Sequence, residues 1–171
     1  IASGQRICEV LEEKATITNP EEPVMEVEDG SIRFENATFR YSKTSDAPVL
    51  DNINLEIESG QTIGIIGGTG SSKSTLVNMI SRLYDVDEGA VYVGGKDVRE
   101  YDLETLRNEV AVVLQQNVLF SGSILENLRW GNEDATEEQL WAALETAQAK
   151  EVVEKKEGML SYKIEQGGKN L

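Results

Sequence analysis

Residues 67–75 of this chain are Gly67-Gly68-Thr69-Gly70-Ser71-Ser72-Lys73-Ser74-Thr75. The run before them, Thr62–Ile66, is apolar and rich in β-branched residues, which predicts a buried strand. The residues after them carry apolar side chains spaced as one face of a helix, at Leu76, Met79, Ile80 and Leu83. A glycine-rich loop between a strand and a helix, with a lysine and a hydroxyl at the junction, is typical of a phosphate-binding loop.

A loop of this kind binds anions through its backbone. Its successive N–H groups line a concave site, and the dipole of the following helix adds partial positive charge. In such a site Lys73 reaches the β- and γ-phosphates as a point charge, and the Ser74 hydroxyl is a ligand of Mg²⁺. The stretch Gly67–Thr75 therefore predicts a site for ATP and Mg²⁺.

The loop departs from the usual pattern at Ser72, where glycine normally precedes the lysine. If the backbone there needs a positive φ, a side chain costs about 1–2 kcal/mol, and its Cβ and hydroxyl can crowd the phosphates. We therefore expect weakened nucleotide binding rather than none, because Gly67, Gly70, Lys73 and Ser74 remain. A glycine-rich turn that binds no ligand is the competing interpretation.

The composition is that of a globular chain with many acidic residues. Of its 171 residues, 39% are hydrophobic and 27% are charged, and 16 basic against 31 acidic residues give a net charge of -15. This charge argues against nucleic-acid partners and against adhesion to an anionic membrane surface. A single cysteine, Cys8, suits a reducing compartment, and no segment has the length of a transmembrane helix.

The segments before the loop predict an antiparallel β-layer. An amphipathic helix at residues 1–14 and an acidic linker at residues 19–23 come first, so the domain is expected to begin near Val24. Apolar side chains then alternate with opposite parity on the two sides of Glu35-Asn36, which indicates two strands or one strand with a bulge. Another strand is predicted at Ile53–Ile57.

Two positions are candidates for ligand contacts because of where their strands end. Tyr41 ends an aromatic strand before a polar loop, Ser42–Asp46, and by itself it is most simply a half-buried strand aromatic. Gln115 and Gln116 follow the continuous apolar run Glu109–Leu114, which predicts a strand buried on both faces of a parallel sheet. Ligands of open α/β sheets bind outside the carboxyl ends of strands, although two consecutive glutamines suit a solvated loop equally well.

In the segments after Leu83, helices are predicted from residues that are typical of helix N-caps. Asp102 is the predicted N-cap of one short helix, and Ser123 begins another. Thr136 and Gln139 form a capping box for a third helix, and a further helical stretch covers residues 149–156. Strands and helices of this order predict an α/β fold.

The order of these segments resembles the nucleotide-binding domain of an ATP-binding-cassette (ABC) transporter of the exporter type. The resemblance covers nearly the whole chain and rests on the phosphate loop and on five further motifs: Ala2-Ser3-Gly4-Gln5-Arg6-Ile7, Phe39-Arg40-Tyr41, Val49-Leu50-Asp51-Asn52-Ile53-Asn54-Leu55, Val112-Val113-Leu114-Gln115 and Leu119-Phe120-Ser121-Gly122-Ser123-Ile124. The first motif resembles the linker that follows an exporter's last membrane helix. The last two match the segment that couples the ATPase domain to its membrane partner.

The resemblance implies a P-loop NTPase fold and its division into parts. An antiparallel β-subdomain, part of the parallel core sheet and the start of the helical subdomain are expected. The expected limits are a linker from a transmembrane domain at residues 1–23, the β-subdomain and phosphate-loop core at 24–122, and an incomplete helical subdomain at 123–171.

The resemblance also implies roles for individual residues. Tyr41 stacks on adenine, which replaces the simpler interpretation of this residue. Lys73 and Gln115 are the catalytic contributors, and Ser74 and Gln115 are ligands of Mg²⁺. All residues of Gly67–Thr75 are expected to contact the nucleotide.

The family implies partners as well. Two such domains dimerise head to tail over two ATP molecules, and hydrolysis resets the transporter. We therefore expect the ATP-binding part of an exporter ATPase, which lies at the cytoplasmic face of the cell membrane beside a transmembrane domain and a second nucleotide-binding domain. The fragment itself is expected to be soluble.

The resemblance places the start of the family's signature motif near Leu171, with the second acidic motif and the catalytic glutamate beyond it, and the chain has no histidine for the switch position. We therefore expect this polypeptide to bind Mg-ATP weakly without hydrolysing it. Two alternatives stay open. One is a non-hydrolysing, degenerate subunit of a heterodimeric transporter, which Ser72 favours. The other is a P-loop kinase, for which no acceptor-substrate site is recognisable after Leu83.

Overall fold

The computed structural model describes residues 2–42 and 47–171, so most of the predicted loop Ser42–Asp46 lies outside the described residues. The chain divides into two compact units, Ile1–Val112 and Val113–Leu171. The predicted domain limits at residues 23 and 122 stay predictions. The helices are α1 (Ala2–Glu12), α2 (Lys73–Ile80), α3 (Leu103–Glu109), α4 (Ile124–Arg129), α5 (Glu137–Thr146) and α6 (Lys150–Glu154), and the strands are β1 (Ile32–Phe39), β2 (Leu50–Ile57), β3 (Glu88–Val93), β4 (Lys96–Asp97), β5 (Gly122–Ser123) and β6 (Lys163–Ile164).

The first unit is built around β1, which pairs with a neighbour along each edge. The sheet has the order β2-β1-β3-β4, and its pairs are antiparallel. The register of β1 against β2 shifts between Phe34 and Ala37, and Asn36 in between has a φ of 46°. The change of parity in the sequence therefore corresponds to an irregularity within one strand, as a bulge near Glu35-Asn36 predicts.

The core of this unit joins the sheet to the helices. Phe34 of β1, Met79 of α2 and Leu106 of α3 are each at most 2% exposed and belong to one apolar cluster. Tyr101 is fully buried in the same cluster, and its hydroxyl donates to the Val93 carbonyl at 2.7 Å. Burial raises the pKa of Tyr101, so the phenol stays protonated and keeps this hydrogen bond.

The predicted cap of α3 is confirmed, and it also attaches the segment that follows α1. The Asp102 carboxylate accepts from the Thr105 amide at 2.9 Å, a hydrogen bond that lowers the pKa of Asp102. Asn19 donates to the same carboxylate and accepts from the Leu103 amide at 2.9 Å. The first turn of α3 therefore fixes a segment more than eighty positions away in the sequence.

The second unit confirms both predicted helix starts. Ser123 caps α4 and Thr136 caps α5, each in a reciprocal capping box. Glu126 accepts from the Ser123 amide, which lowers the pKa of Glu126. Apolar side chains from these helices and from the chain that follows them form the core of this unit: Ile124, Leu144, Val153, Leu160 and Ile164.

The strands predicted at Thr62–Ile66 and Glu109–Leu114 are not present as strands. Neither segment belongs to a sheet of the described chain, and Glu109 is the last residue of α3. Ile66 is 99% exposed and Val113 is 89% exposed. An apolar run predicts burial, but a strand also needs backbone partners along its edges, and these two runs have none among the described residues.

Helix α1 confirms the predicted amphipathic segment at the start of the chain. Its apolar residues Ile7, Val10 and Leu11 are between 61% and 78% exposed. Within the described ranges, no helix combines the length and the apolar character that crossing a bilayer requires.

One glycine within β3 and one in the turn after it allow a test of how the first sheet packs. Gly89 and Gly95 both have a φ of 78°, but a Cβ on Gly89 would lie 2.2 Å from the Glu35 carbonyl oxygen, whereas a Cβ on Gly95 would meet open space. Both substitutions by alanine carry the same backbone strain. Only Gly89→Ala adds a clash with β1.

We expect Gly89→Ala to lower the free energy of unfolding by more than about 3 kcal/mol. Gly95→Ala, the matched control, is expected to lower it by about 1–2 kcal/mol. Urea unfolding followed by circular dichroism measures both values. Equal losses in the two variants would contradict the close approach of β1 and β3.

Candidate phosphate-binding site

The turn that leads into α2 is left-handed at Ser72. This residue has a φ of 62° and a ψ of 18°, and it is the N-cap of Lys73–Ile80. The positive φ considered from the sequence is therefore present, and Ser72 holds a conformation that costs a side-chain-bearing residue about 1–2 kcal/mol. Its side chain makes no capping hydrogen bond, so it does not compete with an anion for the amides of the first helical turn.

Lys73 lies over the loop that precedes it. Its ammonium group donates to the carbonyl oxygens of Gly67 at 2.7 Å and Gly68 at 2.9 Å, and to the Ser71 hydroxyl at 3.0 Å. Ser71 in turn donates to the Gly68 carbonyl at 2.8 Å. A Cβ on Gly67 would lie 2.4 Å from the Ser71 hydroxyl oxygen, so a side chain there would displace the Ser71 hydroxyl. The loop therefore closes around its own lysine.

A cavity of about 340 Å³ opens beside this loop. It is lined by Tyr41, Val49 and Gly70-Ser71-Ser72-Lys73-Ser74-Thr75. Lys73 is the charged residue among these lining residues, although the whole chain carries a net charge of -15. The cavity is therefore a local exception to the acidic character of the chain, as an anion site requires.

The structure brings the predicted base-stacking residue next to the loop. The hydroxyl oxygens of Tyr41 and Thr75 lie 2.9 Å apart, which is hydrogen-bond distance, across 34 positions of sequence. Tyr41 is 56% exposed, whereas Thr75 is 5% exposed. The exposed ring is thus anchored at its hydroxyl to the first turn of α2.

One residue near the site is missed by the sequence motifs. Tyr84 packs against Tyr41, with ring centroids 5.2 Å apart and planes nearly perpendicular, and against Phe39 at 5.4 Å. Phe39 and Tyr41 are themselves 4.9 Å apart in an edge arrangement. These rings also line a second cavity, of about 530 Å³. No spacing rule relates Tyr84 to Tyr41, so only the folded chain shows the contact.

The candidate magnesium ligands lie in different units. Ser74 is in the first turn of α2, and Gln115 is an exposed residue of the second unit, outside regular secondary structure. Among residues 2–42 and 47–171, no three His, Cys, Asp or Glu side chains form a group that could hold a metal ion. Mg²⁺ at nucleotide sites takes few protein ligands and completes its shell with phosphate and water oxygens. The Ser74 hydroxyl beside Lys73 fits that kind of site.

Comparison with known proteins identifies the family. Residues 50–166 match the family model described as ABC transporter. An uncharacterized ABC transporter ATP-binding protein of Mycobacterium tuberculosis is 44% identical over 98% of this chain and 29% of its own length. A multidrug efflux ATP-binding/permease protein of the same species is 38% identical over 89% of this chain and 13% of its own length. The chain thus spans less than a third of either relative.

A solved structure shows the same fold. A bacterial Atm1-family ABC exporter with ATP bound aligns with a TM-score of 0.90 and 24% sequence identity, over 99% of this chain and 30% of that one. The P-loop NTPase fold expected from the sequence is thereby confirmed, and the kinase alternative is set aside by the family match. From its phosphate-binding loop, its antiparallel layer and these similarities, the chain belongs to the ABC transporter family.

Proposed function

We propose that this chain binds Mg-ATP through Gly67–Thr75 and is the ATP-binding part of an exporter ATPase that powers the movement of a substrate across a membrane. The observation that carries the proposal is the short connection between Lys73 and Tyr41. Lys73 lies over the phosphate loop, and Thr75, in the same first turn of α2, reaches the Tyr41 hydroxyl at 2.9 Å. A cation can pair with the phosphates of a nucleotide and a flat ring can stack on its base, and this site offers both.

The residues of the loop would hold the phosphates. Lys73 exchanges its hydrogen bonds to two carbonyl oxygens, at 2.7 and 2.9 Å, for bonds to phosphate oxygens. This exchange favours a charged ligand because charge-assisted hydrogen bonds are the stronger ones. The Ser74 hydroxyl would hold Mg²⁺, which neutralises charge on the β- and γ-phosphates. Gln115 stays a second candidate ligand on the evidence of the sequence resemblance. Tyr41 would stack on adenine with its exposed ring face.

The presence of a serine at position 72 is an argument for weak binding of Mg-ATP and for a second candidate function. In its left-handed conformation Ser72 lines the cavity beside the loop, so its Cβ and hydroxyl take up space that a glycine would leave to phosphate oxygens. We infer that the affinity for Mg-ATP is lower than that of a loop with glycine at this position. The same observation favours the alternative of a degenerate, non-hydrolysing subunit in a heterodimeric transporter.

The second unit carries a surface suited to the transmembrane partner. Phe120 and Trp130 are stacked with ring centroids 4.7 Å apart, and they are 52% and 73% exposed. Asn127 fixes the Phe120 backbone because it accepts from the Phe120 amide and donates to its carbonyl, both at 2.9 Å. Phe120 belongs to the motif that resembles the coupling segment of exporters. We propose that the membrane domain of the parent transporter docks on these two rings.

The hydrolytic site is proposed to be completed by groups outside these residues. The described residues that line the cavity beside the loop include no carboxylate to position an attacking water. In an exporter that role requires the remaining motifs of the domain and a second nucleotide-binding domain, packed head to tail over the ATP. The whole assembly would lie at the cytoplasmic face of the membrane.

Mg-ATP is expected to stabilise the chain in a thermal-shift titration. A ligand that binds only the folded state adds about 2.7 kcal/mol at a hundredfold excess over Kd. Lys73→Ala should abolish the saturable shift, because it removes the cation of the cavity. Lys14→Ala, which removes the same charge from an exposed position, should retain it. A shift that survives in Lys73→Ala would contradict the proposed site.

Ser72→Gly is expected to tighten Mg-ATP binding and to raise the free energy of unfolding. Relief of the left-handed strain is worth about 1–2 kcal/mol, of which the greater freedom of glycine in the unfolded chain removes about 0.4–1 kcal/mol. Ser72→Ala separates the effect of the hydroxyl from the effect of the Cβ, since this variant loses the hydroxyl but keeps the Cβ. Calorimetric titration and urea unfolding measure the two effects, and unchanged affinity in Ser72→Gly would contradict the crowding argument.

No turnover of ATP is expected from this 171-residue polypeptide. Phosphate release should equal that of Lys73→Ala, because positioning of water and stabilisation of the transferring phosphoryl group are incomplete. A coupled phosphate assay at saturating Mg-ATP makes the comparison. Steady release above the Lys73→Ala level would show that the chain carries a full catalytic set.

A further inference from the structure

We propose that Tyr84 is a positioning residue for the nucleotide base, acting through the ring of Tyr41. The inference rests on the proposed ATP site and extends it to a residue outside the sequence motifs. Tyr84 lies three residues after the turn that closes α2 at Ser81. It would not touch the phosphates, and its effect would be limited to the base.

The Tyr41 ring is supported by one hydroxyl group and by two neighbouring rings. It is 56% exposed, while the neighbouring Phe39 is 5% exposed in the core of the unit. Among the residues that the structure describes, its contacts include the Thr75 hydroxyl at 2.9 Å and the rings of Phe39 and Tyr84, whose planes stand at 80° and 87° to its own. Edge-to-face packing at these separations is attractive. The ring is more than half exposed, so part of its surface is open for stacking.

Tyr84 stands on a turn that is fixed on both sides. Arg82 is 6% exposed, and its guanidinium pairs with the Asp85 carboxylate at 2.9 Å. Arg107 of α3 donates to the carbonyl oxygens of Ser81 at 3.3 Å and Arg82 at 3.0 Å. Hydrogen bonds and an ion pair therefore fix the backbone on both sides of Tyr84. Because that backbone is fixed, the Tyr84 ring can hold the Tyr41 ring in place.

The same turn is joined to the end of β1 and to the residue between β1 and Tyr41. The Arg40 amide donates to the Asp87 carboxylate at 2.7 Å, and the Asp87 amide donates to the Thr38 carbonyl at 2.8 Å. Tyr41 and Tyr84 thus extend from two segments that are hydrogen-bonded to each other. The distance between their rings is set by backbone contacts and not by the two side chains alone.

The consequence is a selective effect on the base. Without the Tyr84 ring, Tyr41 keeps its hydroxyl contact but gains rotational freedom, and an ordered platform binds a flat ligand better than a mobile one. The phosphates are held by Lys73 and the loop amides, which make none of these ring contacts. Loss of the Tyr84 ring should therefore weaken the binding of ATP but not the binding of a ligand that consists of phosphates only.

The test compares ATP with inorganic tripolyphosphate, both with Mg²⁺, by calorimetric titration of the whole chain. Tyr84→Ala is expected to lower the affinity for ATP about threefold to tenfold and to leave the affinity for tripolyphosphate unchanged. Tyr84→Phe, which keeps the ring, is expected to restore ATP affinity. If Tyr84→Ala is unfolded at the assay temperature, Tyr84→Leu replaces it with the same expected selective loss, because leucine fills volume without an aromatic edge.

Three outcomes would overturn the inference while the ATP site stands: unchanged ATP affinity in the Ala or Leu variant, equal weakening of both ligands, or a Phe variant that behaves like the Ala variant. Equal affinities of the wild-type protein for ATP and tripolyphosphate would also overturn the inference, since the adenine base would then add nothing to binding. Wild-type protein that binds neither ligand would overturn the proposed function itself, and the inference with it.

Discussion

The left-handed backbone at Ser72 is the constraint on which the candidate site depends. It starts α2 at Lys73, so that the lysine folds back over Gly67 and Gly68 while Thr75 faces Tyr41. A glycine would adopt this turn without strain, and a serine does so only because the surroundings enforce it. The helix that follows the turn is anchored in the core of the first unit, where Met79 is 1% exposed. Packing of the helix thus stabilises the strained turn at its start.

Features encoded by a few neighbouring residues could be predicted from the sequence, and features that need distant partners could not. The caps at Asp102, Ser123 and Thr136 follow from one side chain and the amides two or three residues on, and all are present. The strands expected at 62–66 and 109–114 were inferred from apolar runs. Such runs say which side chains avoid water but not which backbone will pair with them, and here the described chain offers no partner.

The aromatic cluster of Phe39, Tyr41 and Tyr84 also contains both residues that the sequence predicts and residues that it does not. Tyr41 could be singled out because it stands in a motif that resembles a known family, whereas Tyr84 could not. Its contact with Tyr41 depends on the turn after α2, where Arg82 has a φ of 50° and a buried guanidinium paired with Asp85. Propensity favours neither a left-handed arginine nor its burial. The tertiary contacts of Arg107 and Asp85 decide the path of the chain there.

The exposed apolar runs have a thermodynamic consequence for the folded chain. The side chains of Ile63, Ile65 and Ile66 before the loop, and of Val112, Val113 and Leu114 after α3, are between 42% and 99% exposed. They are therefore hydrated to a large extent before unfolding begins. The heat-capacity change of unfolding reflects newly hydrated apolar surface, so this chain should have a smaller one than its length suggests. Its stability would then vary with temperature along a flatter curve than that of a fully packed domain.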